Sequence, residues 1–238
     1  MYKTGICTSE ELRGRRTIFG RIRPVSYLLL RDSSLSFEAV LADITDRLHN
    51  EFAGLAYDFI AGIVRSSYEE LASRATVTTF VPALTERFAR ERLVALDKVE
   101  GGMSTIPTVL FLCIHNAGRS QMALGFFEHH AARRAVAWSG GSEPGEKVNP
   151  AAVEAMAERG IDISGAYPKP WTTEILRAAD VVVTMGCGDT CPYYPGKRYE
   201  DWVLEDPAGQ GVDAVRPIRD EVERRVLELL ASLGVAAT

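Results

Sequence analysis

Residues 107–238 are expected to form an α/β domain, a small four-stranded parallel sheet with helices on both faces, preceded by an all-α three-helix bundle over residues 35–97. Three observations predict this. From Thr108 onward, short apolar runs alternate with helical segments, the pattern of a parallel sheet covered on both sides. Between Ser36 and Asp97 the apolar residues recur at helical spacing. A loop with one cysteine, one glycine and one arginine joins the first apolar run to the first helix, at the sheet edge where open parallel sheets hold ligands.

In the bundle, Phe37, Val40, Leu41, Ile44 and Leu48 mark one helix, with Ser36 placed to cap it. Ile60, Ile63, Val64 and Leu71 mark a second. Phe80, Val81, Leu84 and Phe88 mark a third, with Thr78 or Thr79 as cap and Pro82 tolerated in the first turn. Asp43, Arg47, Glu69, Glu86 and Arg90 supply the solvated faces. A core of some sixty residues is marginal, so such a bundle commonly leans on a partner. It is read as a packing or dimerisation module, a candidate homodimer contact, and nothing in it has the spacing of a nucleophile or phosphate loop.

Lys98 to Ile106, with Gly101, Gly102 and Ser104, reads as a linker. Thr108 to Leu112 is then a buried strand and Gly118 to Ala131 a helix. Ala135 to Ser139 is a second strand, stopped by Gly140 and Gly141. Asn149 caps and Pro150 opens a helix that Gly160 ends. Trp171 to Ala179 is helical, Val181 to Thr184 is a third strand, and Trp202 to Leu204 is the candidate fourth. Val215 to Leu233 closes the chain as a helix with Val222, Val226, Leu227 and Leu230 on one face.

Composition narrows the function classes. The chain has 238 residues, 46% hydrophobic and 25% charged, average for a globular protein. Its net charge of -5 argues against nucleic acid or an anionic membrane as main partner, while leaving room for a local anion pocket. No apolar run is long enough to span a bilayer and no signal peptide is evident, so a cytoplasmic location is expected. Residues 1–34 are basic, with Lys3, Arg13, Arg15, Arg16, Arg21, Arg23 and Arg31 against Glu10, Glu11 and Asp32. Arg15-Arg16 followed by Tyr27 to Leu30 resembles an export signal. The apolar run is too short for one, and a disordered or misassigned start is the expectation. Cys7 in this stretch has no assigned role. So few cysteines (Cys7, Cys113, Cys187, Cys191) in a long chain point to reactive or metal-binding thiols rather than a disulfide framework.

The chemistry concentrates in CIHNAGRS, Cys113 to Ser120. A loop there, comprising Ile114, His115, Asn116, Ala117, Gly118, Arg119 and Ser120, can aim successive backbone N–H groups at one anion. The following helix adds its positive end. Arg119 can hold two oxygens of a tetrahedral oxyanion with its planar fork. The same positive field favours a Cys113 thiolate, and Ser120 is placed to donate a hydrogen bond to it.

CIHNAGRSQMALGFF, TMGCGDTCP and WVLEDPAGQG together resemble the arsenate reductases built on the low-molecular-weight tyrosine phosphatase fold, over residues 107 to 235. The helical segment resembles the amino-terminal extension, a dimerisation bundle, of some actinobacterial members. The resemblance implies that Cys113 attacks arsenic, that Arg119 binds the oxyanion, and that Asp206, before Pro207, protonates the leaving oxygen. A carboxylic acid held opposite the nucleophile by proline suits that last role. His115 and Asn116 are implied to tune the loop, Asn116 by bracing its backbone.

Cys187 and Cys191, just after the third strand, separate the alternatives. A phosphatase needs only Cys113, Arg119 and Asp206, because water completes its reaction. Arsenate reduction needs two electrons, which thiols supply in sequence: Cys187 attacks Cys113, and Cys191 then attacks Cys187. The 187–191 disulfide is left for an external dithiol. Gly186 and Gly188 give this loop freedom to rearrange. A zinc half-site and inert packing are the competing readings; no second ligand pair stands at zinc spacing, so no metal and no tightly bound cofactor are expected. Only three residues separate the two cysteines, fewer than is usual in thioredoxin-coupled members. The reductant therefore stays open between thioredoxin and a low-molecular-weight thiol such as mycothiol with mycoredoxin. Three readings result: a thiol-dependent arsenate reductase (with phosphate or sulfate as substrate mimics), a tyrosine phosphatase with Tyr193 and Tyr194 walling the substrate ring, and an oxyanion-sensing module without catalysis.

Overall fold

The computed structural model describes residues 37–101, 106–186 and 193–238. The expectations for Ser36, Cys7, residues 1–34, Gly188, Cys187 and Cys191 lie outside the described residues. The bundle consists of α1 (Phe37–Glu51), α2 (Tyr57–Ala72) and α3 (Val81–Val99). The α/β part follows as β1 (Thr108–Cys113), α4 (Arg119–Ala131), β2 (Val136–Gly141), α5 (Pro150–Ala157), α6 (Thr173–Ala178), β3 (Val181–Thr184), β4 (Arg198–Asp201) and α7 (Val212–Ser232). The sheet is parallel throughout, in the order β2-β1-β3-β4, which places β1 and its C-terminal loop at the centre.

Strand β1 is buried along its whole length, and its alternation divides the core in two. Val109, Phe111 and Cys113 face a cluster built from α4, α5 and α7, including Met122, Phe126, Phe127, Val222 and Val226. Leu110 and Leu112 face the opposite cluster with Trp138, Ile175 and Leu176. That second cluster also contains Leu71, Val81, Phe88 and Ala95 of the bundle. The bundle therefore has its partner within the chain: α3 lies on α6 and covers one face of the sheet. A separate small cluster of Leu41, Ile44, Leu48, Ile60, Val64, Ala89 and Leu93 fills the bundle interior. Residues on α3 at positions 89 and 93 thus point inward, and those at 84, 88 and 95 point at the α/β part, as helical periodicity allows.

Several sequence expectations shift locally. The fourth strand is Arg198–Asp201 rather than Trp202 to Leu204. It is an edge strand of polar residues, whose ladder hydrogen bonds do not require an apolar run. Trp202 just after it packs on Phe111 with ring centroids 5.8 Å apart, while Val203 is exposed. Strand β2 continues through Gly140 and Gly141, which pair with Leu112 and Cys113. Phe80 is exposed and starts α3 without a side-chain cap from Thr78 or Thr79. Helix α3 runs to Val99, two residues into the stretch read as linker. Glu86, expected on a solvated face, is only 6% exposed. It is held there by Arg47 (Nη2–Oε2 2.8 Å) and Arg90 (Nη2–Oε1 2.9 Å). Asn149 caps α5 as expected, its side chain accepting from the Ala151 amide at 2.9 Å.

Candidate active site

Cys113 ends β1 and is 2% exposed, with Sγ 3.0 Å from Ser120 Oγ in the first turn of α4. The loop between them is fixed by its carbonyls. Ile114 O accepts from the Glu143 amide at 2.9 Å, His115 O from Gly145 at 2.9 Å, and Ala117 O from Asn149 at 2.8 Å. Asn116 O accepts from Gln121 Nε2 at 2.9 Å. Carbonyl and amide point opposite ways across a planar trans peptide. Anchoring these four oxygens outward therefore turns the amides of His115, Asn116, Ala117 and Gly118 toward the loop centre, beside the positive end of α4. That is the geometry of an oxyanion cradle.

Asn116 holds the tightest point of the turn. Its φ is +46°, in the left-handed region that asparagine tolerates better than most residues. It is fully buried and both polar atoms of its side chain are engaged: Nδ2 donates to Ser120 Oγ at 2.8 Å, and Oδ1 accepts from the Lys169 amide at 3.0 Å and Gln121 Nε2 at 3.1 Å. With its Oγ accepting from Asn116, Ser120 has its own hydrogen free to donate to the Cys113 sulfur.

Arg119 opens α4 and is 7% exposed, with Nη2 3.2 Å from Asp206 Oδ2. Asp206 is half exposed in a turn where its Oδ1 accepts from the Ala208 amide at 3.1 Å. Two glycines make this convergence possible. A Cβ on Gly118 would lie 2.7 Å from Pro207 Cγ, so the Asp206-Pro207 turn can sit against the loop only where no side chain intervenes. Gly186 has φ +76°, and a Cβ there would lie 3.1 Å from Arg119 Nη1. Gly186 is thus fitted to the close approach of Arg119, in addition to the freedom expected of it for the loop that follows. The Pro207 carbonyl is tied to Asn149 Nδ2 at 2.8 Å, which joins the acid-bearing turn to the residue that also anchors Ala117.

Cys113, Arg119, Ser120 and Asp206 thus meet around one loop. Tyr193 instead stacks on Tyr199, centroids 5.0 Å apart, and Tyr194 packs at the margin of the cluster on the α3 side of the sheet. The supporting residues Gln121, Tyr167 and Lys169 were not singled out from sequence. A lysine between two prolines carries no local signal because its contacts are long-range, and Gln121 carries none because its bonds to Asn116 depend on the loop's conformation and its third bond is to Tyr167, 46 residues away.

Comparison with known proteins agrees with this geometry. Residues 108–237 match the family model for low molecular weight phosphotyrosine protein phosphatase. The chain belongs to that family. Residues 41–97 match a second model, the N-terminal domain of protein-tyrosine-phosphatase-like proteins. A putative arsenate reductase of Halobacterium salinarum is 40% identical over 124 residues, 50% of this chain and 87% of that protein. The glutaredoxin arsenate reductase of Synechocystis is 39% identical over 53% of this chain and 98% of its own length. The solved structure of a Corynebacterium glutamicum thioredoxin-dependent arsenate reductase superposes with a TM-score of 0.73 at 40% identity, over 82% of this chain and 96% of that one. That coverage includes more of the chain than the α/β part alone. Among the described residues, no helix is long and apolar enough to cross a membrane.

Proposed function

We propose that this chain reduces arsenate to arsenite, with Cys113 as nucleophile. The observation that carries the reading is the convergence of Cys113, Ser120, Arg119 and Asp206 on one cradle of inward amides, in a chain 40% identical to a thioredoxin-dependent arsenate reductase. Arsenate is tetrahedral and anionic, so loop amides of residues 114–120 and the Arg119 fork hold three of its oxygens while the fourth faces Asp206. The Cys113 thiolate attacks arsenic, an S–As bond forms, and the displaced oxygen leaves as water with a proton from Asp206. The Cys187 thiolate then attacks Cys113 Sγ. An S–S bond forms and the S–As electron pair passes to arsenic, which leaves as arsenite. The Cys191 thiolate attacks Cys187 Sγ, frees Cys113 as thiolate and closes a 187–191 disulfide. An external thiol system, thioredoxin or mycothiol with mycoredoxin, returns that disulfide to two thiols.

The test is arsenate-dependent NADPH oxidation in the presence of thioredoxin and its reductase, comparing the wild type with Cys191→Ser. Turnover in the wild type that is lost in the variant is the expected result. Turnover restored only by mycothiol and mycoredoxin replaces the reductant and keeps the chemistry. No turnover with either system, beside brisk hydrolysis of an aryl phosphate, refutes the reductase reading in favour of a phosphatase.

A further inference from the structure

The bundle touches the active-site loop through a chain of contacts that begins at Glu91 on α3. Its buried Oε2 lies 3.4 Å from Lys169 Nζ, an ion pair without hydrogen-bond geometry, and makes no hydrogen bond among the described residues. Lys169 is 3% exposed, an unusual burial for an ammonium, and its Nζ also sits 4.7 Å above the Tyr167 ring. One helical turn earlier on α3, Arg87 donates to Gly165 O at 2.9 Å and stands 5.0 Å from the same ring. Helix α3 thus grips the side chains and backbone of residues 165–169 from one side.

From the other side, the backbone of that segment holds the oxyanion loop. The Lys169 amide donates to Asn116 Oδ1 at 3.0 Å, Lys169 O accepts from the Gly141 amide at 3.0 Å, and Tyr167 O accepts from Gln121 Nε2 at 3.0 Å. Asn116, held at positive φ, reaches Ser120 Oγ and so the Cys113 sulfur. We infer that Glu91 is a positioning residue: by neutralising the buried Lys169 ammonium it keeps the 165–169 segment seated, and with it the Asn116 turn that shapes the oxyanion cradle.

The physical argument is that a buried charge tolerates little loss of compensation. Besides Glu91, the charged and titratable groups lining the same cavity of about 510 Å³ are Arg87 on α3, Glu128 and His129 on α4, the exposed Asp162, and Tyr167, whose ring lies beneath the ammonium. Arg87 repels the ammonium, and the Glu128 carboxyl, though its residue is exposed at the cavity rim, is pushed up by desolvation and by the neighbouring Glu91 charge, against the pull of Lys169 and Arg87, which makes it the poorer counter-ion. With Glu91 neutral, the cavity gives the Lys169 side chain somewhere to swing toward solvent, and that swing takes away its packing on Tyr167 and loosens the segment whose backbone holds Asn116 and Gln121. The effect on chemistry is indirect, which is why the readout must be loop geometry as well as turnover.

This inference rests on the reading that the Cys113 loop holds a tetrahedral oxyanion. The experiment is alkylation of Cys113 by iodoacetamide, followed at its own peptide by mass spectrometry, with inorganic phosphate as protecting ligand. It is run on the full chain as wild type, Glu91→Gln, Glu91→Asp and the double variant Glu91→Leu/Lys169→Met, each also melted thermally. Protection by phosphate is expected to weaken about tenfold in Glu91→Gln, the loss typical of one charge-assisted contact. It is expected to stay near wild type in Glu91→Asp, and to recover to within about threefold in the double variant, where no buried charge is left stranded. KM for arsenate should rise in parallel with kcat little changed. Phosphate protection in Glu91→Gln within twofold of wild type, whatever its melting temperature, overturns the inference. Should Glu91→Gln not fold, protection in a folded double variant more than about tenfold weaker than in wild type overturns it instead, because removing the stranded charge would then not restore the loop. Absence of protection by phosphate or arsenate in the wild type would instead refute the oxyanion reading itself.

Discussion

Gly118→Ala should separate binding from chemistry more cleanly than any change to the reacting groups. The added Cβ would start 2.7 Å from Pro207 Cγ, whereas carbon atoms pack at about 3.5–4.0 Å. Relief needs a displacement of roughly 1 Å by one side of the contact. The loop side is held by four outward carbonyl bonds and by the buried Asn116 network. The Asp206-Pro207 turn is joined to the rest of the protein by the Pro207 carbonyl on Asn149 Nδ2 and the Asp206–Arg119 contact, while its bonds from Ala208 and Gln210 lie within the turn and move with it, and its acid is half exposed. Hence the Asp206-Pro207 turn moves and the oxyanion cradle stays. Asp206 Oδ2 then loses its 3.2 Å approach to Arg119 and its alignment with the leaving oxygen. A misplacement of about 1 Å at a reacting group costs on the order of 100-fold in kcat. The overpacking itself costs about 1–3 kcal/mol of stability, small enough to leave the protein folded. The assay is arsenate turnover coupled to NADPH oxidation, with phosphate as competitive inhibitor. The expected result is kcat lower by about 100-fold with the phosphate Ki changed by less than about threefold. A variant with kcat within tenfold of wild type, or one that loses phosphate binding and turnover together, would refute the assignment of Gly118 to the acid-bearing turn.

Two further outcomes follow from the same geometry. Asp206→Asn keeps the shape of the turn and removes the transferable proton, so kcat should fall by about 100- to 10,000-fold while KM changes little; unchanged kcat would mean that water or another group supplies the proton. Burial alone would push the Glu86 carboxyl up, but Arg47 and Arg90 outweigh it and hold it below the usual value of 4.5. A depressed folded-state pKa stabilises the fold above the unfolded value and loses that contribution as pH falls below it. Glu86→Gln should therefore cost about 1–3 kcal/mol near neutral pH, with the difference from wild type shrinking below about pH 4. Urea melts across that range check it, and a difference independent of pH would refute the ionic account.

What could be read from the sequence followed from local physics. Cys113 at a strand end, Gly118 for curvature and Arg119 at a helix start sit within seven residues, so chain connectivity alone places them on one loop. The buried apolar run of β1 and the apolar faces of α1, α2 and α7 were legible for the same reason, since such patterns are a property of neighbouring residues, whereas the division of β1 between two core clusters was not. Edge strand β4 was misplaced because Arg198–Asp201 carries no apolar run, while the adjacent Trp202 to Leu204 does. Glu86 was misread because its burial depends on Arg47, 39 residues away, and no local pattern reports such a partner. Gln121, Tyr167 and Lys169 were missed on the same grounds: each acts on Asn116 or its neighbours through contacts set by tertiary structure.

The bundle's relation to the site belongs to this long-range class, and the ionic contacts along α3 show why it is more than an appended module. Glu91 meets Lys169, Arg92 meets Glu174 at the start of α6, and Lys98 meets Asp180 just before β3. Asp180 also accepts from the Thr108 amide at 2.9 Å, so the last of these contacts fixes the starts of two central strands together. Apolar burial of Phe88 and Ala95 against Leu110, Leu112 and Leu176 supplies the adhesion, which is non-directional and would tolerate some sliding. The ionic contacts are directional and set the register of α3 on the sheet. A helix so registered presents Arg87 and Glu91 to residues 165–169 at the open end of the sheet, next to Asn116. The covering of one sheet face and the proposed support of the Cys113 loop would then both follow from a single packed helix, and a change that shifts α3 along the sheet should disturb both.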